Sequence, residues 1–207
     1  MRRWGPCVIV VAALLASGCT LTPRLEAEVE SFSTLARSPA PAEVAIVHFT
    51  GIDAGSLAFR RYRDRLEPAL AARGFAVVPP AAEPPWVMRL GYRVDDGRQV
   101  VETIGPPPSY RYPRYAGRAG RLDAPWFDDP FVYGGYDVVT YTVYGRHLVL
   151  VLVDAASGAE VWRTSAFNVG RRPTLTGVFD AMVEAAFADF PKEGSRRVTV
   201  TLEPAGS

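Results

Sequence analysis

The chain has 207 residues, of which 48% are hydrophobic and 22% are charged. These are values of a globular protein with a core of ordinary size, and they argue against wholesale disorder. The formal net charge is +1; without Arg2 and Arg3, which lie in a segment expected to be removed, 21 basic residues stand against 22 acidic ones. A chain with no basic field does not attract nucleic acid, so we expect no nucleic-acid partner.

Residues 1–18 are predicted to form a lipoprotein signal peptide. A positively charged N-terminal segment with Arg2 and Arg3 is followed by an apolar run, Val8–Ala16, that is too short to span a bilayer as a helix. The run ends in Leu15-Ala16-Ser17-Gly18-Cys19, which resembles the bacterial lipobox. We therefore expect cleavage before Cys19, acylation of its thiol, and a lipidated tether over residues 19–26.

The cysteine count agrees with a lipid anchor. Cys7 lies in the leader, so Cys19 would be the only cysteine of the mature chain and no intramolecular disulfide could form. Acyl chains such as palmitate hold a protein stably when two or more are present. We expect a membrane partner through this anchor, and Thr20 in place of Asp favours the periplasmic face of the outer membrane.

The first half of the domain, which we expect to span 27–207, is predicted to contain one helix among strands. Ser56 is a plausible N-cap for a helix to about Arg73, ended by Gly74, with one apolar stripe of Phe59, Tyr62, Leu66 and Leu70. Asp95-Asp96-Gly97 is predicted to be a turn that leads into a returning strand. The predicted strands are Ala27–Leu35, Glu43–Phe49, Phe75–Val78, Trp86–Val94 and Gln99–Ile104.

Residues 105–135 differ in composition, because they are rich in Pro, Gly and aromatic residues. A long irregular segment of this kind is often functional or disordered. Basic residues that alternate with aromatic ones can bind anionic polymers or lipid headgroups. A surface loop whose aromatic residues pack over the sheet is the structural alternative. The possible anion-binding or partner-binding residues are Arg111, Arg114, Arg118 and Arg121.

The second half is organised around a hairpin. Six apolar residues, Leu148–Val153, are followed by Asp154, a short link that ends at Gly158, and a second strand from about Glu160 that carries Trp162. A half-buried strand, Tyr136–Tyr144, leads into it. A second helix, capped by Thr174 or Thr176, is predicted to end at Phe190-Pro191, and Arg196–Leu202 closes the fold. The whole is predicted to be an α+β single domain, a mostly antiparallel sheet with two amphipathic helices packed on one face.

Several of these segments together resemble the bacterial lipoprotein family catalogued as domain of unknown function 4136. The resemblance covers about Ala27–Leu202, and Ser31–Leu35 matches the aromatic-rich first strand of the family only loosely. Membership implies a lipidated envelope protein with no assigned activity. The residues that carry it are Leu148–Asp154, Ser157-Gly158, Val161-Trp162-Arg163, Phe190-Pro191 and the helix end Leu66–Phe75.

The sequence contains no motif that assigns a reaction. His48 and His147 lie in predicted strands and are interpreted as structural, Asp154 as the end of a strand, and Trp162 as a core residue or a cross-strand partner. We expect no cofactor, no metal and no catalytic residue. The adjacent Asp128 and Asp129 more often start a turn than cleave a glycan.

Three functions remain open at this point. The first is a non-catalytic, lipid-anchored envelope module that binds a protein partner, peptidoglycan or lipopolysaccharide. The alternative is a hydrolase of envelope glycan or glycolipid that uses Asp128, Asp129 or Glu102. The third is an accessory subunit of a larger envelope assembly. A deep pocket with convergent carboxylates would favour the hydrolase.

Overall fold

The computed structural model describes residues 24–104 and 137–202. Over these residues the chain forms a single sheet-dominated domain with two α-helices. None of the helices in these two ranges is long and apolar enough to cross a membrane. The strands are β1 (Arg24–Ser33), β2 (Ala42–His48), β3 (Phe75–Val77), β4 (Trp86–Val94), β5 (Arg98–Ile104), β6 (Asp137–Asp154), β7 (Glu160–Gly170) and β8 (Gly194–Thr201), and the helices are α1 (Leu57–Ala71) and α2 (Phe179–Ala186).

The strands lie in the order β3-β2-β4-β6-β7-β1-β8, and β5 pairs with β6 beside this path. The pairs β2–β3 and β2–β4 are parallel, and the other pairs are antiparallel. The predicted mostly antiparallel sheet is therefore confirmed, with a small parallel part at one edge.

The predicted central hairpin is confirmed. β6 and β7 occupy the middle of the sheet, and Asp154 ends the first strand as expected. Its Oδ1 accepts hydrogen bonds from the backbone N–H and the hydroxyl of Ser157, at 2.8 and 3.0 Å. These bonds lower the pKa of the Asp154 carboxyl, because they stabilise its charged form. Gly158 has φ +71°, the left-handed conformation that the link requires.

One hydrophobic cluster joins the helices to alternate residues of the strands. Trp162 is 1% exposed; its ring stacks on Phe187 at 5.4 Å and meets Phe190 edge-on at 5.0 Å. From β6 the cluster takes Leu148, Leu150 and Leu152. Val151 and Val153, which alternate with them, are also buried, so the central strand is buried on both sides as its composition indicates.

Helix α1 follows its local signals closely. Ser56 is the N-cap, and its hydroxyl accepts a hydrogen bond from the backbone N–H of Phe59 at 3.1 Å. The predicted stripe of Phe59, Tyr62, Leu66 and Leu70 is the buried face of the helix. Both the start and the orientation of α1 are therefore confirmed.

Helix α2 begins later than predicted, so the capping by Thr174 or Thr176 is wrong. Its N-cap position is Val178, which makes no side-chain cap. The Thr174 hydroxyl instead accepts from the backbone N–H of Thr176 at 3.2 Å, and Thr176 is held against α1 by Arg65, which donates to its carbonyl at 2.6 Å. These contacts hold the backbone of Thr174 and Thr176 in place, so α2 begins only after them.

Three predictions about the strands also need correction. β1 begins at Arg24, so the last residues of the expected 19–26 tether belong to the sheet. β5 does not return along β4: it runs in the same direction, and both strands pair with β6, β4 along Arg146–Asp154 and β5 along Asp137–Val143. The Asp95-Asp96-Gly97 segment is thus an interruption between two strands that share one partner, and β6 is one continuous strand where two were expected.

Candidate functional site

β5 and the first half of β6 form a two-stranded ribbon that extends beyond the main sheet. Seven residue pairs connect them, from Arg98 with Val143 at the root to Ile104 with Asp137 at the tip. The pairing of β6 with β7 begins only at Tyr144 with Gly170. Over the ribbon, β5 and β6 therefore have only each other as strand neighbours among the described residues. We call residues 98–104 and 137–143 the ribbon.

The ribbon is exposed on both faces although it is rich in apolar residues. Val101 is 65% exposed, Ile104 50%, Val138 61% and Val139 41%. Val101 and Val138 lie on one face by register, and Ile104 and Val139 on the other. A two-stranded hairpin is at best marginally stable in water when neither face is covered. Exposed apolar residues on such an element make it a candidate interaction surface.

The root of the ribbon is fixed by Asp95. Its Oδ1 accepts from the backbone N–H groups of Gly97 and Gly145, at 3.0 and 2.8 Å. A Cβ on Gly97, which has φ +81°, would lie 2.7 Å from the Tyr144 ring, and one on Gly145 would lie 2.6 Å from the Asp95 carboxylate. The small residues at this junction let the two strands keep their pairing with β6 across the interruption.

Polar side chains add a second contact on one face of the ribbon. The Tyr141 hydroxyl donates to a carboxylate oxygen of Glu102 at 3.3 Å. The Arg171 guanidinium lies 4.2 Å from the centroid of the Tyr141 ring, a cation–π contact from the segment after β7. The hydrogen bond joins the two strands of the ribbon, and the Arg171 contact orients the ribbon relative to the sheet.

Arg146 anchors β6 where it leaves β7. The side chain is only 6% exposed, and its Nη1 and Nη2 donate to Asn168 Oδ1 and to the carbonyl of Arg172, each at 2.9 Å. Asn168 in turn donates to the carbonyl of Glu26 at 2.7 Å. Burial and the nearby Arg172 lower the pKa of Arg146. No partner for its Nε occurs in the part of the chain that the structure describes.

A shallow cleft of about 520 Å³ lies on the sheet between two rows of large side chains. One row pairs Arg93 with His147, and the other pairs Arg89 with Val151. The row between them is small, because Gly91 pairs there with Val149. The Phe49 ring covers Gly91 so closely that a Cβ there would lie 3.1 Å from Phe49 Cδ2. The lining residues are Phe49, Thr50, Gly51, Ile52, Gly91, Tyr92, Arg93, His147, Val149 and Arg163.

The cleft is basic, with acidic residues at its edges. Arg163 forms a salt bridge of 3.0 Å with Glu160, to which Arg89 approaches at 3.9 Å. The His147 ring packs on Phe167 at 4.7 Å. Burial and then Arg93 lower the pKa of His147, and Asp95 opposes them, so its imidazole is neutral at pH 7. The basic side chains of this arrangement can bind an anion.

The residues predicted from the sequence are dispersed over the chain. Cys19, Asp128, Asp129 and the four arginines Arg111, Arg114, Arg118 and Arg121 lie outside the described residues. Glu102 lies on the ribbon, and Trp162 is in the core as expected. His48 is exposed; its Nδ1 lies 3.1 Å from the carbonyl of Phe49, and its ring meets Phe59 edge-on. Within 24–104 and 137–202, no three His, Cys, Asp or Glu residues converge as a metal site would require.

Sequence reasoning missed the cleft and the exposure of the ribbon. The alternation of Arg89, Gly91 and Arg93 on one side of β4 is the signal that could have indicated the cleft. The exposure of the ribbon has no local signal, because a half-buried strand shows the same alternation.

Comparison with known proteins gives one family and several distant structures, including the following two. A PelC dodecamer from Paraburkholderia phytofirmans is 14% identical, with 78% of this chain and 95% of that chain covered and a TM-score of 0.42. A PDZ domain protein from Parabacteroides distasonis is 13% identical, with 86% and 39% covered and a TM-score of 0.49. Both TM-scores lie below 0.5, so neither likeness supports an inference about this chain.

No curated protein matches the chain. The family described as "Domain of unknown function (DUF4136)" matches residues 34–192, which include every element from β2 to α2. This match covers well over half of the chain and contains the central hairpin and both helices. The protein therefore belongs to the DUF4136 family.

Proposed function

We propose that this protein is a lipid-anchored lipoprotein of the bacterial cell envelope that acts as a non-catalytic binding or assembly module. The sequence Leu15-Ala16-Ser17-Gly18-Cys19 supports the anchor, because its spacing fits a lipobox and Cys19 would otherwise be an unexplained cysteine in an exported chain. The proposed location is the periplasmic face of the outer membrane, for which Thr20 is the supporting residue.

The observation that carries the binding role is the ribbon. Its four exposed apolar residues lie on an element that the sheet supports only at the root. The ribbon strands also lead directly into residues 105–136, which hold the arginines and aromatic residues that the sequence singles out. We propose that the ribbon and this segment together present a surface to an envelope partner, a protein or an anionic polymer.

The arrangement of the layers is part of the same proposal. Residues of β6 and β7 that share a cluster with the helices alternate with residues that line the cleft, such as His147, Val149 and Arg163. Successive side chains of a strand point to opposite faces. We propose that both helices cover one face of the sheet and that the cleft opens on the opposite face. The face with the cleft is then available to a ligand.

The anchor is tested by cell fractionation of Cys19→Ala, with Cys7→Ala as the matched control. We expect Cys19→Ala to be unlipidated and released from the membrane, while Cys7→Ala stays there because its cysteine lies in the leader. Retention of Cys19→Ala in washed membranes would refute the anchor.

The binding role is tested by a photo-crosslinking amino acid at Val138 on the ribbon, with the same amino acid at exposed Thr199 on β8 as control. We expect light-dependent adducts with a reproducible envelope component from position 138 only. Equal adducts from both positions, or none from either, would contradict a ribbon-directed binding role.

A further inference from the structure

The outer edge of β5 lacks several of the usual protections against pairing among the described residues, although it carries two charged side chains, Arg98 and Glu102. Residues 98–104 contain no Pro and no Lys, and no described strand lies beside their outer edge. Natural proteins blunt exposed edges with such residues, with bulges, or by covering them. An unprotected edge offers its unpaired N–H and C=O groups to another strand.

The charges on this edge are self-complementary. Arg98 and Glu102 are the only charged residues of β5; they are four residues apart and therefore on one face of the strand. Both are exposed, and neither takes part in a salt bridge among the described residues. In an antiparallel pair of two β5 strands with Val100 opposite Val100, each Arg98 lies directly opposite the Glu102 of the other copy.

Other pairings lack this match. If Val101 lay on the axis, Glu102 would face Val100 and no two charges would be directly opposed. If Glu102 lay on the axis, two carboxylates would face each other, which is destabilising. The outer edge of β6 over 137–143 offers Asp137 and no basic residue, so it has no counter-charge for a second copy of itself.

We propose that a second copy of this chain docks on the outer edge of β5, in an antiparallel, two-fold symmetric pair with Val100 on the axis and two Arg98–Glu102 contacts. This dimer goes beyond the function proposed above, since in it a second copy of the chain is the partner of the ribbon. A two-fold axis makes both contacts equivalent and closes the assembly at two copies. The main-chain hydrogen bonds of strand addition supply the attraction, and the charges fix the register.

The small area of the contact determines how dimerisation must be measured. A strand edge of this length buries less than the roughly 800 Å² per partner of a standard interface, so the pair is weak in free solution. Confinement of both copies to one membrane surface raises their effective concentration. The full-length lipoprotein is therefore tested in vesicles of phosphatidylethanolamine and phosphatidylglycerol as well as in detergent.

The register is tested by disulfide trapping of Val100→Cys, with Val101→Cys as the matched control. In the proposed pair the two residues at position 100 face each other within the roughly 4.4–6.8 Å between Cα atoms that a disulfide spans. The two residues at position 101 are displaced by two places and lie beyond this range. We expect mild oxidation to give a covalent dimer of Val100→Cys, and none of Val101→Cys or of the wild type, in which acylation of Cys19 leaves no free thiol.

The charges are tested by reversal and by mixing. Arg98→Glu alone or Glu102→Arg alone places two like-charged contacts in the pair, and we expect the dimer dissociation constant, measured by sedimentation, to rise on the order of tenfold. An equimolar mixture of the two variants restores both opposite-charge contacts. The mixture should dimerise as well as the wild type, which a general loss of folding would not allow.

Each result decides a separate claim. Three outcomes would refute the proposed dimer. They are a monomer at all concentrations, a covalent dimer of Val101→Cys in place of Val100→Cys, and a dimer dissociation constant that neither charge reversal changes. The variants are compared by circular dichroism to show that they are folded. Membrane retention without dimerisation would refute only the pair, and dimerisation of protein shed from the membrane would refute only the anchor.

Discussion

Replacing Trp162 with Phe should leave the free energy of unfolding unchanged or raise it, although Trp162 is one of the largest buried side chains of the protein. The reason is its indole N–H. Nε1 is buried and has no hydrogen-bond partner among residues 24–104 and 137–202. Phe fills most of the same space, keeps an aromatic surface against Phe187 and Phe190, and carries no N–H.

The two opposing effects can be compared directly. Phe is smaller than Trp by about 40 Å³, and a residual cavity costs about 24 cal/mol per Å³, so the substitution loses about 1 kcal/mol. Removing a buried unpaired donor recovers about 1–3 kcal/mol. The net change therefore lies between no change and a gain of about 2 kcal/mol.

Urea unfolding followed by far-ultraviolet circular dichroism measures this change without relying on tryptophan fluorescence. Trp162→Ala is the comparison, because it removes the same N–H but also the ring, and it should cost about 3–5 kcal/mol. A loss of about 3 kcal/mol or more for Trp162→Phe would refute the reasoning, since it would mean that the indole N–H is paired in the folded protein.

Three further predictions concern local contacts. Ser56→Ala should lower the free energy of unfolding by about 1 kcal/mol, because α1 loses its N-cap, and urea unfolding measures this. Ser157→Ala should raise the pKa of Asp154 in a carboxyl NMR titration, because one of the hydrogen bonds to the charged carboxylate is lost. Arg93→Gln should raise the pKa of His147 in an imidazole NMR titration, because a neighbouring positive charge is removed.

The two titrations also predict pH dependence. The folded state lowers the pKa of Asp154, so its contribution to stability is present above the unfolded pKa of about 3.9 and is lost as pH falls through the folded value. The folded state also lowers the pKa of His147, so stability falls as pH drops below about 6.5, where the unfolded chain binds the proton first. Asp95→Asn, which removes the opposing charge, is the control for Arg93→Gln and should lower the pKa of His147 further. An unchanged His147 titration in both variants would contradict the described cleft.

Elements with local signals were predictable from the sequence, and the exceptions are informative. The start and buried face of α1 follow from a capping serine and a helical stripe, both contained in a few residues. The Asp95-Asp96-Gly97 segment was misread because the same residue types favour turns and strand interruptions. Which strand β5 pairs with depends on β6, some 40 residues away, and short-range patterns do not contain that information.

The prediction of where α2 begins is wrong for a related reason. Thr176 has the chemistry of a cap, but its carbonyl and hydroxyl meet Arg65 and Tyr62 of α1. A contact between distant segments thus overrides a local preference. The site was predictable only in part: the family is identified from the sequence, whereas the exposed ribbon and the basic cleft arise from the order of the strands.

The continuity of β6 has a mechanical consequence. A strand rises about 3.4 Å per residue, so the seven ribbon residues before Tyr144 extend about 24 Å from the main sheet. A load applied between Ile104 and Asp137 pulls the two ends of the ribbon apart and breaks its hydrogen-bonded pairs one after another. The central part of β6 has neighbours on both sides and must be separated from both β4 and β7 to yield. Force spectroscopy across these two positions should therefore show a weak first event before the domain unfolds, so the ribbon limits the tension that a bound partner transmits to the core.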